Sequence, residues 1–305
     1  MFIFSLLACM KQTENPIAVQ QDTSVEKEQL FLDLDTEQDN ITAFIKTRGS
    51  LNPEDEIVYY WDGYIYQSDF ADPESSPVTS YYSDPILKFE GFNIARFEKV
   101  SETEYQMLTR EITVYKNLQD RIIDCWSNSR IGVSPSEAVP VVHVQNDPVN
   151  FYLNAGSYRE LGDTIAWNME IFLAYPSPLD FEDHPQFSAS KTYQSVELFD
   201  FFSKRADLEN PDLDTVPTYI SWSRVGQYLP WMKAGQKDGF LVYHAQGYKV
   251  LEGFDGLPED LKEWTINNVP EYQHPPESAI NGSNMTSWRY MNKILTDGTY
   301  PEECE

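Results

Sequence analysis

Apolar residues at Leu34, Ile41, Phe44 and Ile45 fall at helical spacing and predict one helix over 34–48. Asp35, followed three residues later by Gln38, is the expected capping pair, and Glu37 adds an acid to the first turn. From Ile57 the period drops to two. Ile57 to Trp61 and Tyr64 to Gln67 flank Asp62-Gly63, which predicts a hairpin turn. Further strands are expected over 86–99, 104–115, 121–126, 139–144, 164–175, 192–202, 217–224 and 239–251, the last bent at Gly247. A Pro/Ser-rich loop fills 71–83. Asn146-Asp147-Pro148 is expected to end the 139–144 strand in a turn, since Pro cannot donate to a ladder. A second helix over 258–268 sets Leu261 and Trp264 on one side, with Pro258 in its first turn. Met285 to Met291 reads as a strand or tail that seals the fold from outside the site.

About ten strands with mostly short connections predict a mainly β fold. A sheet that long must curl or close, because open edges invite pairing with other chains. The expected architecture is a single antiparallel meander closed, or nearly closed, into a calycin-like β-barrel with a few peripheral helices. A two-sheet β-sandwich is the alternative. The barrel domain is expected over 31–305, behind a truncated lipoprotein signal peptide at 1–8 and a flexible acidic tether at 9–30.

Composition narrows the partners. With 17 Phe, 19 Tyr and 7 Trp against 14 Gly, the chain has the apolar mass for a packed core. Its formal charge of −27 would repel nucleic-acid phosphates, so nucleic acid is excluded as a partner. Leu6-Leu7-Ala8-Cys9, behind a short apolar run, reads as a lipobox. Cys9 would then carry the lipid and anchor an exported lipoprotein to a membrane, on the periplasmic face. Of the other two cysteines, export permits a Cys125–Cys304 pair. Cys304 lies one residue from the end of the sequence, so a free, buried Cys125 is the expectation.

Ile220 to His244 is the stretch richest in candidate chemistry. It gathers Trp222, Arg224, Trp231, Tyr243 and His244 in a run broken by Gly and Pro. Amphipathic aromatics with a few polar groups are what lines a small-molecule pocket. The expected ligand-binding set is Tyr60, Trp126, Trp222, Arg224, Trp231 and Tyr243. Arg224, two residues beyond Trp222 on the same strand face, must pair with a carboxylate such as Glu90 or Asp147, or hold an anion of the ligand. His143 stands at the lip of its strand, with Asp147 positioned to orient it as a general base. The expected acid–base set is therefore His143, Asp147, Arg224 and His244. His143 and His244 with one carboxylate would be the one arrangement able to hold a metal. The chain has no His-x-His or Cys-x-x-Cys spacing, and neither metal nor cofactor is expected.

Five stretches taken together resemble one family: Thr47 to Tyr66, Phe89 to Phe97, Val139 to Asn150, Ser221 to His244 and Met285 to Met291. They are similar to the bacterial family catalogued as domain of unknown function 1838, from about Leu34 to Lys293. Cys125-Trp126-Ser127-Asn128 resembles that family's strand ending in Trp-x-Asn, and Ser129 to Ser136 departs from its compact turn. The resemblance implies a shared fold and site without a reaction. Two readings follow. In the first, a tethered barrel binds a hydrophobic or aromatic small molecule. In the second, a cofactor-independent cyclase, isomerase or hydrolase uses the His, Asp and Arg groups.

Overall fold

The structure is a computed structural model and describes residues 31–68, 84–279, 282–301, 303 and 304. The lipobox, the tether and the loop at 71–83 lie outside the described residues. Helix α1 spans Glu37–Arg48. Its N-cap is Thr36, whose hydroxyl accepts from the Asp39 backbone N–H, in place of the Asp35 and Gln38 pair.

Nine strands form one antiparallel sheet that curls through 207° as a half-barrel. Its order is β6 (Val144–Leu153), β3 (Glu104–Lys116), β2 (Leu87–Ser101), β1 (Ile57–Ser68), β11 (Phe240–Val250), β10 (Tyr219–Gly226), β9 (Thr192–Lys204), β8 (Thr164–Pro176) and β7 (Ser157–Leu161). The fold is mainly β and antiparallel, as the alternation predicts. The first strand lies inside the sheet between β2 and the central β11, and the two edges are the consecutive strands β6 and β7. Only residues 154–156 join those edges. They are clamped by Asn40 of α1, whose side chain donates to the Gly156 carbonyl at 3.1 Å and accepts from its N–H at 2.8 Å.

Three sequence expectations change here. Asp62-Gly63 is no hairpin, and β1 runs straight through it. Gly63 pairs with Ala245 and leaves no room for a side chain, since a Cβ there would sit 2.2 Å from the His244 carbonyl oxygen. The Asn146-Asp147-Pro148 turn is likewise absent. Strand β6 continues through it with a bulge opposite Arg110, which an edge strand tolerates. The 121–126 and 139–144 strands shrink to a two-residue pair, β4 (Cys125–Trp126) and β5 (Val139–Pro140).

Each end of the half-barrel is filled, as is one outer face. Helix α1 lies on the concave face at one end, packing Ile41, Phe44 and Ile45 against Tyr59, Met107, Leu153, Trp167 and Phe201. At the other end Trp126, Ile131, Val139, Trp231 and Met232 pack with Phe89, Tyr115 and Tyr243. A short α2 (Arg205–Leu208) follows β9, and α3 (Glu259–Asn268) buries Leu261 on the convex face with Val58, Phe92 and Ile112. Met285 to Met291 belongs to no strand. Ser287–Thr296 forms α4, capped by Thr286, with Trp288, Met291 and Ile294 buried. Cys125 is not free: it forms a disulfide with Cys304, tying the C-terminal segment to β4.

Candidate functional site

Between α1 and the opposite plug, the concave face of the sheet encloses a cavity of about 360 Å³, within the usual range for small-molecule sites. Strand period sets its lining. On β8, Met169, Ile171, Leu173 and Tyr175 face in while Glu170, Phe172 and Ala174 are exposed. Trp61, Phe151, Phe199 and Trp222 supply the aromatic wall. Phe199 stacks on Trp222 with ring centroids 6.0 Å apart, and Phe89 meets Trp222 edge-on at 5.8 Å.

Residues 284–286 link the two flanks of the gap between β6 and β8. Asn284 accepts from the Asn150 N–H at 2.8 Å and donates to its carbonyl at 3.0 Å, covering the free edge of β6. On the other flank the Tyr175 hydroxyl donates to Thr286 at 3.3 Å. Trp288 follows and packs on Tyr193, ring centroids 4.4 Å apart.

Besides Arg48, buried at the end of α1, two charge centres face this apolar space. Arg224 on β10 is directly opposite Glu197 on β9 in the ladder, with Nε 3.5 Å from the carboxylate. Its Nη2 donates to the Tyr193 hydroxyl at 2.6 Å, and the guanidinium lies over the Tyr243 ring at 4.9 Å. Burial raises the Glu197 carboxyl above the ordinary range, against the pull of Arg224. On the far wall Glu111 occupies one rung with Asn93 and Asn146 as its neighbours. The Asn146 amide donates to it at 3.3 Å. Burial first, and the charge of Glu197 second among the raising causes, pushes the Glu111 carboxyl up to about 7.

A family model described as a protein of unknown function, DUF1838, matches residues 54–295. The chain belongs to that family. No curated protein matches it significantly. The stretch matched by DUF1838 contains every strand of the described residues, together with Glu111, Glu197 and Arg224; α1 with Arg48 precedes it.

Within the DUF1838 fold the residues singled out from the sequence separate into four places. Trp222 and Arg224 line the cavity. Trp126 and Trp231 are plug residues, packed edge-to-face at 5.6 Å. Tyr243 is buried beneath the Arg224 guanidinium. Tyr60 points to the convex face, where its hydroxyl donates to Glu90 at 3.1 Å. Glu90 itself pairs with Lys116 and Asp147 with Arg110 at 2.9 Å, so neither neutralises Arg224; Glu197 does.

The His and Asp set does not assemble. His143 is buried against Tyr115 and Trp264, and its Nδ1 accepts the Tyr115 backbone N–H at 3.1 Å. Burial pushes its pKa down to about 4, so the ring is a neutral packing group. His244 is exposed on the outer face beside Ser223. Asp147 is occupied by Arg110 and orients neither ring. The two-His-one-carboxylate arrangement is therefore not formed, and among the described residues no group of three His, Cys, Asp or Glu side chains is placed to hold a metal ion.

Sequence reasoning passed over Arg48, Glu111 and Glu197. The signal for the two acids was a charged residue at an inward position of a strand, Glu111 two residues from Thr109 and Thr113, Glu197 between Ser195 and Phe199.

Proposed function

We propose that this protein is an exported, lipid-anchored binding protein that holds a hydrophobic or aromatic small molecule in the half-barrel cavity. The cavity itself carries the reading: about 360 Å³ of space walled by Trp61, Phe151, Phe199 and Trp222, with charged groups at only a few points. Native mass spectrometry and solvent extraction of the purified protein are expected to yield an apolar molecule. A matching ligand at about a hundred times its Kd adds roughly 2.7 kcal/mol of stability and raises Tm. An empty extract, with no thermal shift across aromatic acids, fatty acids and sterols, would sink the proposal.

Export and anchoring rest on the Leu6 to Cys9 pattern, and the Cys125–Cys304 disulfide supports an oxidising compartment. Labelled palmitate is expected to follow the wild-type protein, and Cys9→Ser to release it from the membrane fraction. Unchanged membrane association of that variant would refute the anchor.

A second reading, a cofactor-independent enzyme, draws on one observation. Glu111 is a cavity carboxyl whose pKa near 7 suits proton transfer at neutral pH. In this reading Glu111→Gln abolishes turnover of a bound ligand while leaving its affinity within a few fold. Turnover that survives the substitution excludes Glu111 as the proton carrier.

A further inference from the structure

We propose that the ligand is a single-headed organic acid, its carboxylate held by Arg48 at the α1 end of the cavity and its apolar body lying against Trp61, Phe151, Phe199 and Trp222. This rests on the ligand-binding reading above and adds the chemical class of the ligand. Arg48 is the last residue of α1, 6% exposed, and lines the cavity. Among the described residues it makes no ion pair. Its Nε is buried without a hydrogen-bond partner, Nη2 makes a 3.6 Å contact with the Met107 sulfur, and the Tyr59 hydroxyl, which donates to the Thr47 carbonyl, lies close enough to interact with it. The planar group lies over Phe201 at 4.4 Å and Tyr59 at 5.3 Å.

The carbonyls at the end of α1, which would otherwise attract that cation, are already occupied. The Tyr59 and Thr218 hydroxyls donate to the Thr47 carbonyl, and Lys249 donates to those of Lys46 and Gly49 at 2.7 and 3.0 Å. A buried guanidinium with no carboxylate in contact is costly, and here it faces space large enough to admit one. The fork of an Arg matches a carboxylate in two parallel hydrogen bonds.

Charge balance sets the number of heads at one. Of the two cavity acids, Glu197 is spent on Arg224, and Glu111 rests on the Asn146 amide with no cation in contact. When Glu111 is protonated, the buried interior of the cavity keeps one unbalanced positive charge, that of Arg48. Arg289, the other cation of the lining without an ion pair among the described residues, is only half-buried and lies over the Tyr175 ring at 5.9 Å. The titratable groups that act on Arg48 are Tyr59 on β1 and Glu111 on β3, whose charge attracts it without contact when ionised, with Lys249 on β11 beside it and Tyr193, Glu197, Arg224 and Arg289 elsewhere on the lining. Lys249 spends its third donor on Thr215 at 2.8 Å, and burial, then the charge of Arg48, drives its ammonium toward the neutral form. A phosphate monoester would bring a second charge that nothing there balances.

The test titrates the full chain by calorimetry with 2-naphthoate against 2-naphthamide, and with decanoate against decanamide. At about pH 6, below the Glu111 midpoint, each acid is expected to bind at least about tenfold tighter than its amide. Arg48→Met removes that preference and leaves amide binding within a few fold. At about pH 8.5 the wild-type protein binds the acids more weakly, because Glu111 must first take up a proton. Glu111→Gln abolishes that loss.

Equal affinity for acid and amide in the wild-type protein overturns the inference, as does a preference that survives Arg48→Met; cavity binding itself then stands. Binding of neither member of either pair overturns both readings. The wild-type comparison needs no variant, so an Arg48→Met chain that does not fold leaves the inference open to refutation, and Arg48→Lys, with its charge kept and its fork lost, is then expected to bind the acids at intermediate strength.

Discussion

Trp231→Ala is expected to lower the free energy of unfolding by about 3–5 kcal/mol, the cost of emptying a large aromatic site whose surroundings relax only in part. Trp231 is 2% exposed and wedged between Trp126, ring centroids 5.6 Å apart, and Tyr115 at 5.2 Å. Its ring fills the plug and is not among the residues that line the cavity, so ligand affinity should change little in whatever fraction stays folded. Trp222→Ala should behave in the opposite way. Its half-buried ring is part of the wall, and its loss removes contact area for the ligand. Losing about 1–3 kcal/mol would weaken binding roughly 5- to 150-fold. Urea unfolding and ligand titration on both variants decide the matter. If Trp231→Ala weakens the ligand while Trp222→Ala only destabilises the fold, the assignment of plug and wall is reversed.

Reduction of the Cys125–Cys304 bond is expected to cost a similar amount, about 3–5 kcal/mol. The bridge spans 179 residues. In the chain-entropy model a loop that long restricts the unfolded ensemble by about 5 kcal/mol at 25 °C. The tie also has a local consequence. It fixes the segment after α4 to the plug, and α4 carries Trp288 onto the cavity rim. Thermal unfolding with and without reductant, checked against a Cys125→Ser, Cys304→Ser double variant, measures the global effect. Hydrogen exchange over 287–296 measures the local one, with faster exchange expected after reduction. Coincident unfolding curves for the oxidised and reduced protein would show that the bridge adds nothing to stability.

Local pattern was enough for some features and not for others. The spacing of Ile41, Phe44 and Ile45 is helical, and those residues pack inside the half-barrel as α1. Alternation placed Tyr59 and Trp61 opposite Tyr60, and Trp222 on one face with Arg224; these relations hold because strand period is a property of the backbone. The reading of Asp62-Gly63 as a turn failed because a glycine inside a strand and one in a hairpin look alike locally. What separates them is the close approach of β11, a neighbour almost two hundred residues away in sequence. The 287–296 helix was missed for a related reason. Trp288, Met291 and Ile294 recur at helical spacing, and their aromatic company made the stretch look like a strand.

The charged lining of the cavity was the hardest part to read. Strand β3 carries apolar residues on both faces, Met107 and Tyr115 on the concave side and Ile112 and Val114 packed with α3 on the convex one. Apolar residues therefore occupy both registers, and Glu111 among Leu108, Ile112 and Val114 did not appear as an inward residue. Arg48 at the last turn of a helix is where any helix favours a cation, so nothing local marked it. The secondary-structure periods, the antiparallel β class and the family were legible from residue order, because these depend on residues close along the chain or on the whole pattern at once. That Arg48, Glu111, Glu197 and Arg224 share one cavity while His143, Asp147 and His244 lie outside it follows from the fold alone. The curl of a nine-stranded sheet brings together residues that no sequence separation relates.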